Sequence, residues 1–409
     1  MIPARFNPQT PRRHRTGGVW STLFLGAIII AIVALGALLT NIMDESFGLV
    51  AIESRIDPAT LERDGTLLEA LDKEQLIQIL TEHISAGLLR RLENDQAFEE
   101  RDRGNVYALV LERVVEPEIV KTWSLTDSLL NRDAIKAEAL AKYPQATLEF
   151  HAWINPAFMQ MSQSSKPEFA GVRTAILGSL WTIAITIIVA FPTGVGAAIY
   201  LEEYASDTLV NRVIQTNINN LAGVPSILYG MLGLTIFVRG LEPFTSGALL
   251  GAVDTTTANG RTVLSAGLTL ALLVLPLLII NAQEAIKAVP GSLREASYGL
   301  GATRWQTIWH HVLPNAMPGI LTGTILAISR AIGETAPLVV VGASAFVALD
   351  PSGPFSKFTT LPIQIYQWTT RPQDQYRNLA AAAILVLLVL LLSLNAAAVL
   401  LRNRYSRKL

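Results

Sequence analysis

Cysteine is absent from the 409 residues, which excludes disulfides, thiolate metal sites and cysteine nucleophiles. Charge is scarce as well. Only 16% of residues are Asp, Glu, Lys or Arg, where a soluble chain carries about 25%. No Gly-Lys dipeptide occurs, so the chain lacks the loop that holds phosphates with backbone amides and a following lysine. A His-Glu-x-x-His zinc helix and a Gly-x-Ser-x-Gly elbow are also missing. Five histidines are scattered, and the adjacent pair His310–His311 would point in different directions from a helix. These absences leave no catalytic residue and no metal site to assign. The net charge of −1 says little about partners, because the balance differs by region. No nucleic-acid partner is expected.

Apolar residues are plentiful: half the chain is hydrophobic, and mean hydropathy is +0.39. About two thirds of all Asp and Glu fall between residues 44 and 166. That is the profile of a polytopic membrane protein carrying one polar region. A bilayer-spanning helix needs about 20 apolar residues. Six runs qualify, at roughly 20–42, 171–193, 217–239, 263–281, 315–341 and 379–401. Arg5, Arg12, Arg13 and Arg15 precede the first; Arg402, Arg404, Arg407 and Lys408 follow the last. An even number of crossings puts both ends on one side, and the basic bias puts that side in the cytoplasm. The first run is read as a retained span rather than a secretory signal. Its core, 23–39, exceeds the usual 15 or so residues, and no small-x-small cleavage site follows.

The fold class expected is therefore all-α. It divides into a basic tail (1–19), a first transmembrane helix (20–42), an extracytoplasmic insertion (43–166), a five-helix core (167–401) and a second basic tail (402–409). In the insertion, "LLEALDKEQLIQILTEHISAGLLRRLEND" (67–95) repeats apolar residues every three or four positions, the period of an amphipathic helix. "ATLEFHAWI" reads as a strand. The insertion is expected to be mostly helical.

The segment 289–320, "VPGSLREASYGLGATRWQTIWHHVLPNAMPGI", predicts two short helices on the cytoplasmic face. Pro290 suits a first helical turn, Gly299 and Gly301 permit a bend, and a second helix over "ATRWQTIWHHVL" stops before Pro314. Leu293, Ala296 and Leu300 share a side that fits either a partner's groove or lipid headgroups. Glu295-Ala296-Ser297, then Gly299 and Gly301, then Leu313-Pro314, resembles the EAA loop of ABC-importer permeases, with Ser297 in place of the usual second alanine. "PEFAGVRTAILGSL" (167–180), "GVGAAIYLEEYA" (194–205), "NLAGVPSILYGMLG" (220–233), "SRAIGETAPLVVVGA" (329–343) and "TLPIQIYQW" (360–368) are similar to the A-type permease of phosphate-specific transport systems.

The resemblance implies a type I importer fold in a bacterial inner membrane. The expected partners are a second permease subunit, two cytoplasmic ATPase subunits that bind the ATP, and an extracytoplasmic phosphate-binding protein. No cofactor is expected on this chain. The loop 290–314 would dock on an ATPase through Glu295, Ala296, Ser297, Gly299, Gly301 and Pro314. Sulfate or molybdate in place of phosphate, and a membrane-anchored sensor with an external domain, are the alternatives.

One further pattern stands out. Arg330 and Glu334 lie four residues apart in an otherwise apolar run. A cation at membrane depth costs roughly 2.5–3.5 kcal/mol on insertion scales, so it needs a partner or an aqueous path. Arginine offers a planar fork that matches an oxyanion, and a nearby carboxylate would weaken the site enough for release. The alternative is a purely structural ion pair. The resemblance implicates both residues in transport, and Ser329 and Thr335 join them as candidate path residues. Pro337 cannot donate to the carbonyl of Gly333, so the helix is expected to kink or open there. Pro192, Pro225 and Pro276 are expected to be ordinary kinks.

Overall fold

The computed structural model describes residues 10–63, 65–95, 97–251, 260–342, 346–347 and 349–406. Helix α1 (Thr10–Ser46) runs for 37 residues, about 55 Å at 1.5 Å per residue. It passes without a break into β1 (Phe47–Ser54), the middle strand of a three-stranded antiparallel sheet. A helical lobe follows: α2 (Lys73–His83), α3 (Ala86–Asp95) and α4 (Arg103–Val110). Asp72 and Gln75 close a reciprocal capping box that starts α2. Leu71, Leu76, Leu80, Val106 and Val110 form the lobe's own core.

Strand β2 (Pro117–Thr122), helices α5 (Leu125–Leu130) and α6 (Arg132–Lys142), and strand β3 (Thr147–Ala152) complete the insertion. Both outer strands pair with β1, so Val50 lies opposite Thr122 on one side and Glu149 on the other. The insertion is mostly helical, as expected, and a three-stranded sheet runs through it. The strand expected at "ATLEFHAWI" is β3. Val50, Ile119 and Trp153 also share one apolar cluster with Leu361, Trp368 and Leu379 of the helical core, so the sheet is packed onto that core.

Helix α7 (Pro156–Gln160) leads to the long helix α8 (Arg173–Ile199), which a π turn extends through Tyr204. Helices α9 (Leu209–Ala222) and α10 (Ser226–Gly233), the latter extended by a π turn through Gly240, meet at a bend of 108°. The third apolar run, expected at 217–239 with an ordinary kink at Pro225, is thus a sharply bent pair, broken at Gly223-Val224-Pro225. Short α11 (Glu242–Thr245) precedes α12 (Val263–Lys287), the most buried of the long helices. At the end remote from the insertion lie α13 (Gly291–Gly299) and α14 (Arg304–Thr307), and from there α15 (Leu313–Gly333) returns. Helices α16 (Ala336–Val341), α17 (Leu361–Thr369) and α18 (Asp374–Ser406) finish the chain. Among the described residues, five helices are long and apolar enough to cross a membrane, or six crossings if the bent pair is one.

Helices α8 and α12 pack closely because small residues let them. A Cβ on Gly267 would lie 2.6 Å from Ile185 Cβ, and Thr186 Oγ1 donates to Gly267 O at 3.1 Å. Pro192 and Pro276 lie inside α8 and α12 without ending them.

Candidate substrate path and coupling loop

Arg330 lies 17 residues into α15, about 25 Å from its start, one turn before the helix ends. Glu334 terminates that helix with extended backbone (φ −77°, ψ 113°), and Pro337 occupies the first turn of α16. The break expected around Gly333 and Pro337 is therefore present. Across it, Arg330 Nε lies 3.3 Å from Glu334 Oε1. The guanidinium side chain remains 45% exposed and the carboxylate 19%. Leu326, one turn before Arg330 on the same face, is also exposed. This face of α15 is left open by the chain itself, so the guanidinium is not sealed in dry protein. Beyond the break, α16 presses on α10: a Cβ on Gly230 would lie 2.6 Å from Pro337 Cα.

The four candidate path residues do not share one surface. Ser329 turns toward α18, its hydroxyl 2.8 Å from Ile325 O and 2.6 Å from Asn395 Oδ1. Thr335 stands at the start of α16, half-buried, without capping it through its side chain. Only Arg330 and Glu334 are brought together.

At the other end of α15, α13 carries Glu295 and Ala296 on its exposed side, next to exposed Leu293 and a 90% exposed Leu300. Ser297 points the other way. It is buried, and its Oγ lies 2.8 Å from Thr307 Oγ1, tying α13 to α14 across the turn. The bend itself falls on Gly301, at φ 82°, while Gly299 is the last helical residue. Thr303 and Gln306 form a capping box that starts α14. The second helix does not stop before Pro314. A π turn over Ile308–Val312 lets Leu313 N–H reach Ile308 O, five residues back. The hydrogen-bond ladder has shifted by the time the proline arrives, and the helix passes through it into α15.

Some polar residues went unnoticed in the sequence. Asn395 is one, a lone amide inside the run "LLLSLNAAAVLL" whose polarity was the available signal. Another group is Thr359, Thr360, Gln364 and Trp368. These are buried, with hydroxyl, amide and indole atoms that lack hydrogen-bond partners among the described residues. The i, i+4, i+8 spacing of the last three puts them on one face of α17.

Residues 190–407 match the model of a family described as the binding-protein-dependent transport system inner membrane component. The chain is 35% identical over 243 residues to the phosphate transport system permease protein PstA 1 of Mycobacterium tuberculosis, covering 59% of this chain and 74% of that one. It is 34% identical to the PstA protein of Yersinia pestis, over 58% of this chain and 74% of the relative. A probable ABC transporter permease of Bacillus subtilis, YqgI, is 30% identical, over 58% and 81% respectively. The chain belongs to the family of inner membrane components of binding-protein-dependent transport systems.

Proposed function

We propose that this permease subunit of an ABC importer conducts inorganic phosphate along a route that passes Arg330 and Glu334. The subunit is itself non-catalytic, since ATP hydrolysis in such importers lies on separate subunits. The observation that carries the substrate reading is the half-exposed guanidinium at a helix break, paired at 3.3 Å with a carboxylate. A lone cation would hold an oxyanion too long, and conduction needs weak binding. Glu334 supplies the competing charge. Backbone carbonyls freed at the break are tolerated at membrane depth only where they meet protein or water. The names of the relatives from M. tuberculosis and Y. pestis support phosphate as the substrate.

A second permease subunit would cover the open face of α15 and so complete the walls of the route. Of the two ATPase subunits, one would dock at the loop 290–314 of this chain through Glu295, Ala296 and Leu300. A phosphate-binding protein would deliver the anion on the insertion's side. Both termini then lie in the cytoplasm, as their arginines favour, and the insertion 43–166 lies outside. ATP binding acts by favouring one conformation of the permease over another.

The test of the substrate is competition. Proteoliposomes holding the complete complex should take up labelled phosphate in an ATP-dependent way, and excess unlabelled sulfate or molybdate should leave that uptake in place. Uptake abolished by sulfate or molybdate at equal concentration would assign the route to another oxyanion.

A further inference from the structure

Arg294 directly precedes Glu295 on α13, and about 100° of helical rotation separates their side chains. Glu295 points outward, whereas the Arg294 side chain is only 21% exposed. Its guanidinium makes four hydrogen bonds. Nε and Nη2 donate to Glu203 Oε1 at 3.1 and 2.7 Å, Nη1 donates to Val289 O at 2.8 Å, and Nη2 donates to Ile286 O at 3.0 Å. Glu203 is 8% exposed and lies in the π turn that extends α8. Ile286 belongs to the last turn of α12, where its carbonyl also accepts Val289 N–H at 3.2 Å, and Val289 follows that helix, so the cation adds bonds to two carbonyls at a helix end.

One side chain therefore ties α13 to the ends of α8 and α12, the two helices joined by the Gly267 contact. Beside it, Glu202 accepts from Gln283 at 2.8 Å and lies 3.4 Å from Lys287 Nζ, and Gln283 meets Gln215 of α9 at 2.8 Å. The polar patch binds four helices at the end of the molecule where the loop projects. The two acids of "LEEY" are thereby explained. They look out of place beside the basic bias of cytoplasmic loops, and they are the sockets for Arg294 and Lys287.

We propose that Arg294 and Glu203 are positioning residues that make α13 move as one body with α8 and α12. A push on the exposed side of α13 then shifts the packed helix pair instead of rocking a loose loop. The proposal rests on reading 290–314 as the ATPase-docking loop. A planar, multiply bonded guanidinium suits this role, and a lysine ammonium, a compact point charge with three donors on one atom, would keep the charge but lose the fork that reaches Glu203 and both carbonyls together.

The experiment uses the assembled complex in proteoliposomes and measures substrate transported per ATP hydrolysed, alongside the amount of ATPase retained. Arg294→Ala and Glu203→Gln should lower the ratio by about fivefold or more, the usual size of a coupling effect, while ATPase still co-purifies. Arg294→Lys should fall between these and the wild type. If Arg294→Ala does not assemble, Glu203→Gln and Arg294→Lys carry the test, since both keep the side-chain shape or charge. An unchanged ratio in the variants that assemble, with transport and hydrolysis falling together or not at all, overturns the proposal. Failure of the wild-type chain to retain an ATPase at all would instead overturn the docking reading beneath it.

Discussion

Ser297 Oγ sits 2.8 Å from Thr307 Oγ1, both groups buried, and this bond closes the turn between α13 and α14. The serine that stands where the resembling loop has alanine thus faces the protein, and Ala296 faces out. Removing one partner strands the other in a dry site, which costs about 1–3 kcal/mol, whereas removing both is close to neutral. Thr307→Val should therefore lower the melting temperature of the purified chain, and Ser297→Ala with Thr307→Val should recover most of the loss. Thermal unfolding of the single and double variants checks this, and a double variant as unstable as the sum of its parts would contradict it.

His151 on β3 packs edge-on against Trp153, ring centres 4.8 Å apart. Burial disfavours its charged form and pulls its pKa below the ordinary value of 6.5. Below pH 6.5 the unfolded chain takes up this proton before the folded one does. The sheet's stability is then fully present above pH 6.5 and declines as pH falls below it. Amide hydrogen exchange along β3 should accelerate between pH 7.5 and 5.5, after correction for intrinsic rates, and His151→Asn should flatten that change. Protection that rises toward pH 5.5 in the wild type would contradict the assignment.

Gln364 is fully buried on α17, and neither atom of its amide has a hydrogen-bond partner among the described residues. An unpaired buried amide contributes nothing that a side chain of similar volume cannot replace. Gln364→Met should leave thermal stability unchanged or raise it. A loss of about 1–3 kcal/mol, the cost of breaking real hydrogen bonds, would show that the amide is satisfied.

The helical core was largely legible, because long apolar runs read directly as spans and proline lacks a donor. The opening at Gly333 and Pro337 follows from that chemistry alone. Proline position did not suffice elsewhere. Pro192 and Pro276 lie inside continuous helices that pack closely on each other, whereas Pro225 marks a bend of 108°. Tertiary packing separates these cases, and local sequence does not record it. Pro314 does not end its helix for a similar reason: the π turn over Ile308–Val312, just before it, has already shifted the ladder. The sheet was largely hidden because β1 pairs with strands roughly 70 and 100 residues away. At the site, the Arg330–Glu334 pair was visible from its four-residue spacing. The Arg294–Glu203 pair spans 91 positions, and no helical period connects its members.

The most direct test of the account is uptake of labelled phosphate by proteoliposomes that carry the complete complex with Arg330→Ala in this subunit. Co-purification of the ATPase serves as the control for assembly. The account predicts that the complex assembles and still hydrolyses ATP, while phosphate uptake drops to background. Uptake at the wild-type rate by the assembled variant would contradict it, and would reduce the Arg330–Glu334 pair to a structural contact at the end of α15.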